Sequence, residues 1–123
     1  MMFDHIGFGV RDLAKTRAFY TAALAPLGFT VGYERDGVAA LGPPGRPRLW
    51  FYGRGGGPTG VHIALTAETR AQVDAFHAAA LAAGGRDHGA PGLRPHYRPT
   101  YYGAFVFDPD GHNLEAVCHA DEA

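Results

Sequence analysis

The chain has 123 residues, 46% apolar and 19% charged, with a formal net charge of −1, which fits one compact folded domain and not a disordered or fibrous chain. Its 11 basic residues are scattered, so there is no electrostatic case for nucleic acid or an anionic membrane, and no apolar run approaches the roughly 20 residues of a membrane span. Cys118 is the only cysteine, which excludes an internal disulfide; with an N-terminus, MMFDHIGFGV, that lacks a basic leader, the expectation is a reducing, cytoplasmic setting.

In chain order, FDHIGFGV reads as a strand. Ile6, Phe8 and Val10 fall on one face, and His5, Gly7 and Gly9 on the other. Asp12 is a helix N-cap for LAKTRAFYTAALAPLG, and Gly28 is its stop. FTVGYER, VAALG and RLWFYG read as three short strands, and GRGGGPTG as a flexible linker. The order then restarts. GVHIALT is a strand with His62, Ala64 and Thr66 on one face, and AETRAQVDAFHAAALAAGG is a helix with a double-glycine stop. GGRDHGAPGLRPHYRPT is a long loop with room for a short strand, and YYGAFVFD and HNLEAVCH are strands joined by a PDG turn.

The restart is a repeat. Placing His5 on His62 without a gap aligns Ile6 with Ile63, Phe19 with Phe76, Leu24 with Leu81 and Gly28 with Gly85. Each half reads β-α-β-β-β, an α+β pattern. A half of about 55 residues is small for a core of its own, so the halves are expected to pack together or to exchange with another chain.

Both strand histidines share their faces with small residues, which predicts that they line a cleft. In HNLEAVC, Glu115 interrupts an apolar stretch on the face of Asn113 and Val117, and a buried carboxylate needs a cationic partner. His5, His62 and Glu115 would together suit a divalent metal with open positions; the alternatives are structural histidines and a Glu115 paired with Arg98. In the loop GAPGLRPHYRPTYY, Arg94 and Arg98 are candidates to grip an anionic or oxygen-rich substrate. Tyr101 and Tyr102 are candidate catalytic donors, and Trp50 a candidate apolar wall. His77, His88 and His96 read as surface residues, His112 as a turn residue, and Cys118 as a small core residue.

The segments DHIGFGVRDLAKTRAFYTAALAPLGF, VHIAL and GAFVFDPDGHNLEAVCH resemble the vicinal oxygen chelate superfamily of glyoxalases, bleomycin resistance proteins and extradiol dioxygenases. The resemblance implies two βαβββ modules, about 3–53 and 60–119, forming a partly open mixed β-barrel around a metal cleft. It implies one divalent ion (Fe, Mn, Zn or Ni) held by His5, His62 and Glu115, and a homodimer acting on a small molecule with vicinal oxygens. The fourth ligand position falls in RLWFYG, where Leu49, Trp50 and Phe51 offer no donor. The alternative function is a metal-free protein that sequesters an antibiotic or another aromatic cation.

Overall fold

The computed structural model describes residues 3–121. The elements are β1 (Ile6–Gly9), α1 (Leu13–Leu24), β2 (Thr30–Arg35), β3 (Val38–Gly42), β4 (Leu49–Tyr52), β5 (His62–Thr66), α2 (Arg70–Ala82), β6 (Arg86–Leu93), β7 (Tyr102–Phe107) and β8 (Asn113–Cys118). They form two four-stranded mixed sheets, in orders β1-β4-β3-β2 and β5-β8-β7-β6. In each, the first strand of the half lies parallel to the last, and the remaining neighbours are antiparallel.

Local chemistry sets the boundaries. The Asp12 side chain accepts from the Lys15 amide at 3.1 Å and opens α1, and Thr69 does the same for α2 through the Gln72 amide. After α1, a 3-10 turn at Ala25–Leu27 ends at Gly28, whose φ of 84° is the left-handed conformation that glycine adopts without a side-chain penalty. The PDG turn closes on Asp108, whose carboxylate accepts from the amides of Asp110 and His112.

Each helix covers one face of its own sheet, and α1 packs on α2 across the halves. One core results. Phe19, Tyr20, Leu24, Leu41 and Phe51 from the first half join Ile63, Val73, Phe76, Val106 and Leu114 from the second. Each such side chain contributes on the order of 1.5–3 kcal/mol by leaving water. Polar ties reinforce the seam. The buried Tyr20 hydroxyl donates to Asp108 at 2.5 Å, and the Arg11 guanidinium meets Asp110. The two sheets do not close into a barrel within the chain. Each keeps one face on the helices and leaves the other open.

Two expectations needed correction. GRGGGPTG carries no helix or strand, but it is not a loose tether. A Cβ on Gly57 would lie 1.8 Å from the Gly9 carbonyl oxygen, so the segment runs backbone to backbone against the end of β1. The loop after α2 holds a full strand, β6. It was hidden by Gly89, Pro91 and Gly92, which sit where its register against β7 shifts twice. As the outer strand of its sheet, β6 tolerates a proline.

Candidate functional site

Alternation decides what each open face displays. On β8, Leu114, Ala116 and Cys118 turn to the core, which puts Asn113, Glu115 and Val117 on the open face. On β7 the core residues are Tyr102, Ala104 and Val106, so Gly103 and Phe105 look outward. Glu115 pairs with Ala64 on one side and Phe105 on the other. The resulting groove is about 510 Å³ and is lined by His62, His96, Tyr97, Arg98, Tyr101, Phe105 and Glu115.

Glu115 is the centre of this groove, with 2% of its surface exposed. Its Oε1 lies 2.9 Å from His62 Nε2, and its Oε2 accepts from the Tyr101 hydroxyl. Desolvation, and then the bond to Glu115, push the Tyr101 phenol up to about 12, so it remains a protonated donor at neutral pH. The alternative Arg98–Glu115 pair does not form; histidine and phenol take the carboxylate instead. Asn113 bonds the other ring nitrogen, with its Nδ2 2.7 Å from His62 Nδ1. Its Oδ1 is buried without a partner.

That orphaned oxygen bears on whether a metal fits. With Nδ2 donating to Nδ1, the imidazole proton sits on Nε2 and points at Glu115. A half-turn of the amide presents Oδ1 to the ring instead, which places the proton on Nδ1 and frees the Nε2 lone pair beside the carboxylate. A neutral imidazole and a carboxylate are donors that a divalent ion accepts. The second half of the chain therefore fits such an ion with two donors.

The third expected donor is elsewhere. His5 lies on the open face of the first sheet, bonded to Asp4 at 2.7 Å and edge-on to Trp50. Among the described residues, no three His, Cys, Asp or Glu side chains gather to hold an ion. The strand registers explain the asymmetry. Gly7 pairs with Trp50 as Ala64 pairs with Glu115, and Gly7 and Ala64 are equivalent in the repeat. Trp50 thus occupies the place of Glu115 in the first half, beside Tyr33, and presents an apolar wall on the His5 face and not in the groove.

Of the other predicted residues, Arg94, Arg98 and Tyr101 come to the open face of the second sheet. Tyr102 does not: it turns to the helix side, where its hydroxyl donates to Asp74 at 2.6 Å. Strand parity within YYGAFVFD was the signal that separates the two tyrosines. His88 and His96 are exposed as expected, yet both line the open face. His112 is more than a turn residue. It is 1% exposed, its Nδ1 accepts from the Val61 amide, and its ring meets Phe8 across the seam. Asn113, Tyr97 and Phe105 had no role read from sequence, although Asn113 shares the face of Glu115.

Two open-faced βαβββ halves, with a histidine–carboxylate pair on the last one, define a class of duplicated α+β domains. The chain belongs to the Glyoxalase/Bleomycin resistance protein/Dioxygenase superfamily, whose family model matches residues 2–116. It is similar to a glyoxalase/bleomycin resistance protein from Albidiferax ferrireducens T118, with 30% identity and a TM-score of 0.81 over 96% of this chain and 98% of that one. A glyoxalase/bleomycin resistance protein/dioxygenase family enzyme from Burkholderia phytofirmans shares the fold at 19% identity and a TM-score of 0.71, covering 95% and 98%. So does a lactoylglutathione lyase from Agrobacterium tumefaciens, at 18% and 0.69, covering 96% and 92%. No curated protein matches the chain. No helix among the described residues is long and apolar enough to cross a membrane.

Proposed function

We propose that the protein is a divalent-metal-dependent enzyme for a small substrate with two neighbouring oxygens, and that its working form is a homodimer. The observation that carries this reading is Glu115. It is a nearly fully buried carboxylate at the floor of an open groove, met by one imidazole and one phenol and, among the described residues, by no arginine or lysine. Such a group is costly to bury unless a cation joins it. His62 and Glu115 would hold the ion. His5 of a second copy would complete the set if the open face of the first sheet lies over the groove of the partner. Two aromatic-bearing open faces, one with Tyr33 and Trp50 and one with Phe105, favour that pairing.

When bound, such an ion supplies Lewis acidity to the chelated substrate oxygens. The chain's own residues do the rest. Asn113 holds the His62 ring and selects its tautomer. Tyr101 keeps its proton, which it donates to Glu115 in this structure, and would turn it to a substrate oxygen once an ion takes the carboxylate. Arg98 adds positive charge at the rim.

The second reading, a metal-free protein that sequesters an aromatic ligand, is favoured by Trp50 standing where a fourth donor would be. Metal content separates the two. Protein purified without chelator or nickel affinity is expected to hold close to one ion per chain, lost in His62→Ala and in Glu115→Ala. No metal in the wild type, even after supplying Fe(II), Mn(II) and Zn(II), would overturn the metal reading and leave the binding protein.

A further inference from the structure

We infer that Arg94 is a purpose-built carboxylate receptor beside the groove, and that the substrate of this site is a small planar carboxylic acid. This deepens the reading above and rests on it for the location of the chemistry.

The Arg94 guanidinium is held by neutral groups. Its Nη1 donates to the Gly92 carbonyl and its Nη2 to the Ala90 carbonyl, both at 2.8 Å, and its Cζ lies 5.4 Å from the Phe105 ring centre. The irregular stretch of β6 makes this position possible. A Cβ on Gly89 would come within 3.1 Å of Nη2, and one on Gly92 within 3.2 Å of Nη1. Two glycines therefore clear the bed in which the guanidinium lies, and the register shifts aim two carbonyls at it.

Carbonyls and a ring face orient a cation but do not neutralise it. Arg11, Arg17 and Arg48 each meet a carboxylate; among the described residues no carboxylate meets Arg94. Two of its five N–H donors are used by the carbonyls, and the planar fork matches a carboxylate. The space it faces is about 390 Å³, lined by His62, His88, Arg94, Tyr97, Phe105 and Asn113. It shares His62, Tyr97 and Phe105 with the groove around Glu115. Tyr97, 57% exposed, offers a flat ring to the body of a ligand that reaches from the fork to the His62–Glu115 pair. A planar acid fits this combination of fixed cation, flat aromatic surface and adjoining polar centre.

Benzoate and its neutral isostere benzamide are the probes, titrated by calorimetry or ligand-observed NMR. Each is measured on the protein as purified and again after chelator treatment, so that binding through a metal is removed. Benzoate is expected to bind at least about tenfold more tightly than benzamide. Arg94→Gln should lose at least about tenfold of that affinity while keeping its metal content, and Arg94→Lys should recover only part of it, because an ammonium lacks the planar fork. Gly92→Ala keeps the charge but crowds the guanidinium, and should weaken benzoate measurably; it also decides the matter if Arg94→Gln fails to fold. Equal affinity for the two probes, unchanged binding in the Arg94 or Gly92 variants, or no benzoate binding up to about 10 mM would overturn the inference. A wild type that holds no metal even after Fe(II), Mn(II) and Zn(II) are supplied, with Arg94-dependent benzoate binding intact, would overturn the metal reading and leave this one standing.

Discussion

Tyr20 shows how much one side chain can carry. Its hydroxyl, buried in the first half, donates to Asp108 in the second at 2.5 Å, and the other oxygen of Asp108 organises the β7–β8 turn. Tyr20→Phe strands a buried carboxylate oxygen and is expected to cost about 2 kcal/mol in chemical denaturation. Burial, and then the Asp108 charge, raise the Tyr20 pKa well above 10.0. A raised folded-state pKa favours the neutral phenol. Its contribution is therefore complete below pH 10 and is lost as pH rises through the folded value. The stability gap between wild type and Tyr20→Phe should narrow above about pH 10; a gap that widens there would count against the assignment. The DPDG motif is legible in sequence as a turn, but its hold on α1 is not, because nothing local marks the tyrosine that reaches it. The same limit applies at the site. The parity of HNLEAVC put Glu115 on the correct face, whereas its partners came from β5 and from the residue before β7, a fact of strand register.

At the scale of elements, the glycine-rich passage is the instructive case. Composition alone gave a tether, since glycines at positive φ and glycines under a close neighbour look alike in a sequence. Gly55 and Gly56 are of the first kind; Gly57 is of the second, pressed against Gly9. Gly57→Ala is expected to destabilise by about 1–3 kcal/mol, because the backbone on both sides must move. A melting temperature equal to wild type would show the segment to be loose after all. The helices and most strands were legible because their signals are local: the Asp12 cap, the Gly28 stop and the alternation around each histidine. β6 was obscured because the glycines and proline that shape it are also the residues that end strands elsewhere.

For the whole molecule, the question is where the first-half histidine works. The chain has one core drawn from both halves, and among the described residues His5 does not gather with His62 and Glu115. A dimer that exchanges the open faces makes each site from His5 of one copy and His62 with Glu115 of the other. Mixing His5→Ala with Glu115→Ala then creates one intact site in each mixed dimer. If the two variants associate at random, metal binding should return to about a quarter of the wild-type level. If each site were built within one chain, no mixture would bind metal, since every chain would carry a lesion. The duplication is plain in the sequence; whether its two products meet inside one chain is not, since that depends on how the helices pack and not on the strands.

Trp50 has a consequence of another kind. It is the only tryptophan in the chain, and it stands on the His5 face, 6.4 Å from the imidazole by ring centres. All tryptophan fluorescence of this protein therefore originates at a single surface, the open face of the first sheet. The residue that holds the register position of Glu115 in the first half makes the molecule its own optical reporter: the emission wavelength, quenching and energy transfer of its tryptophan all describe that surface.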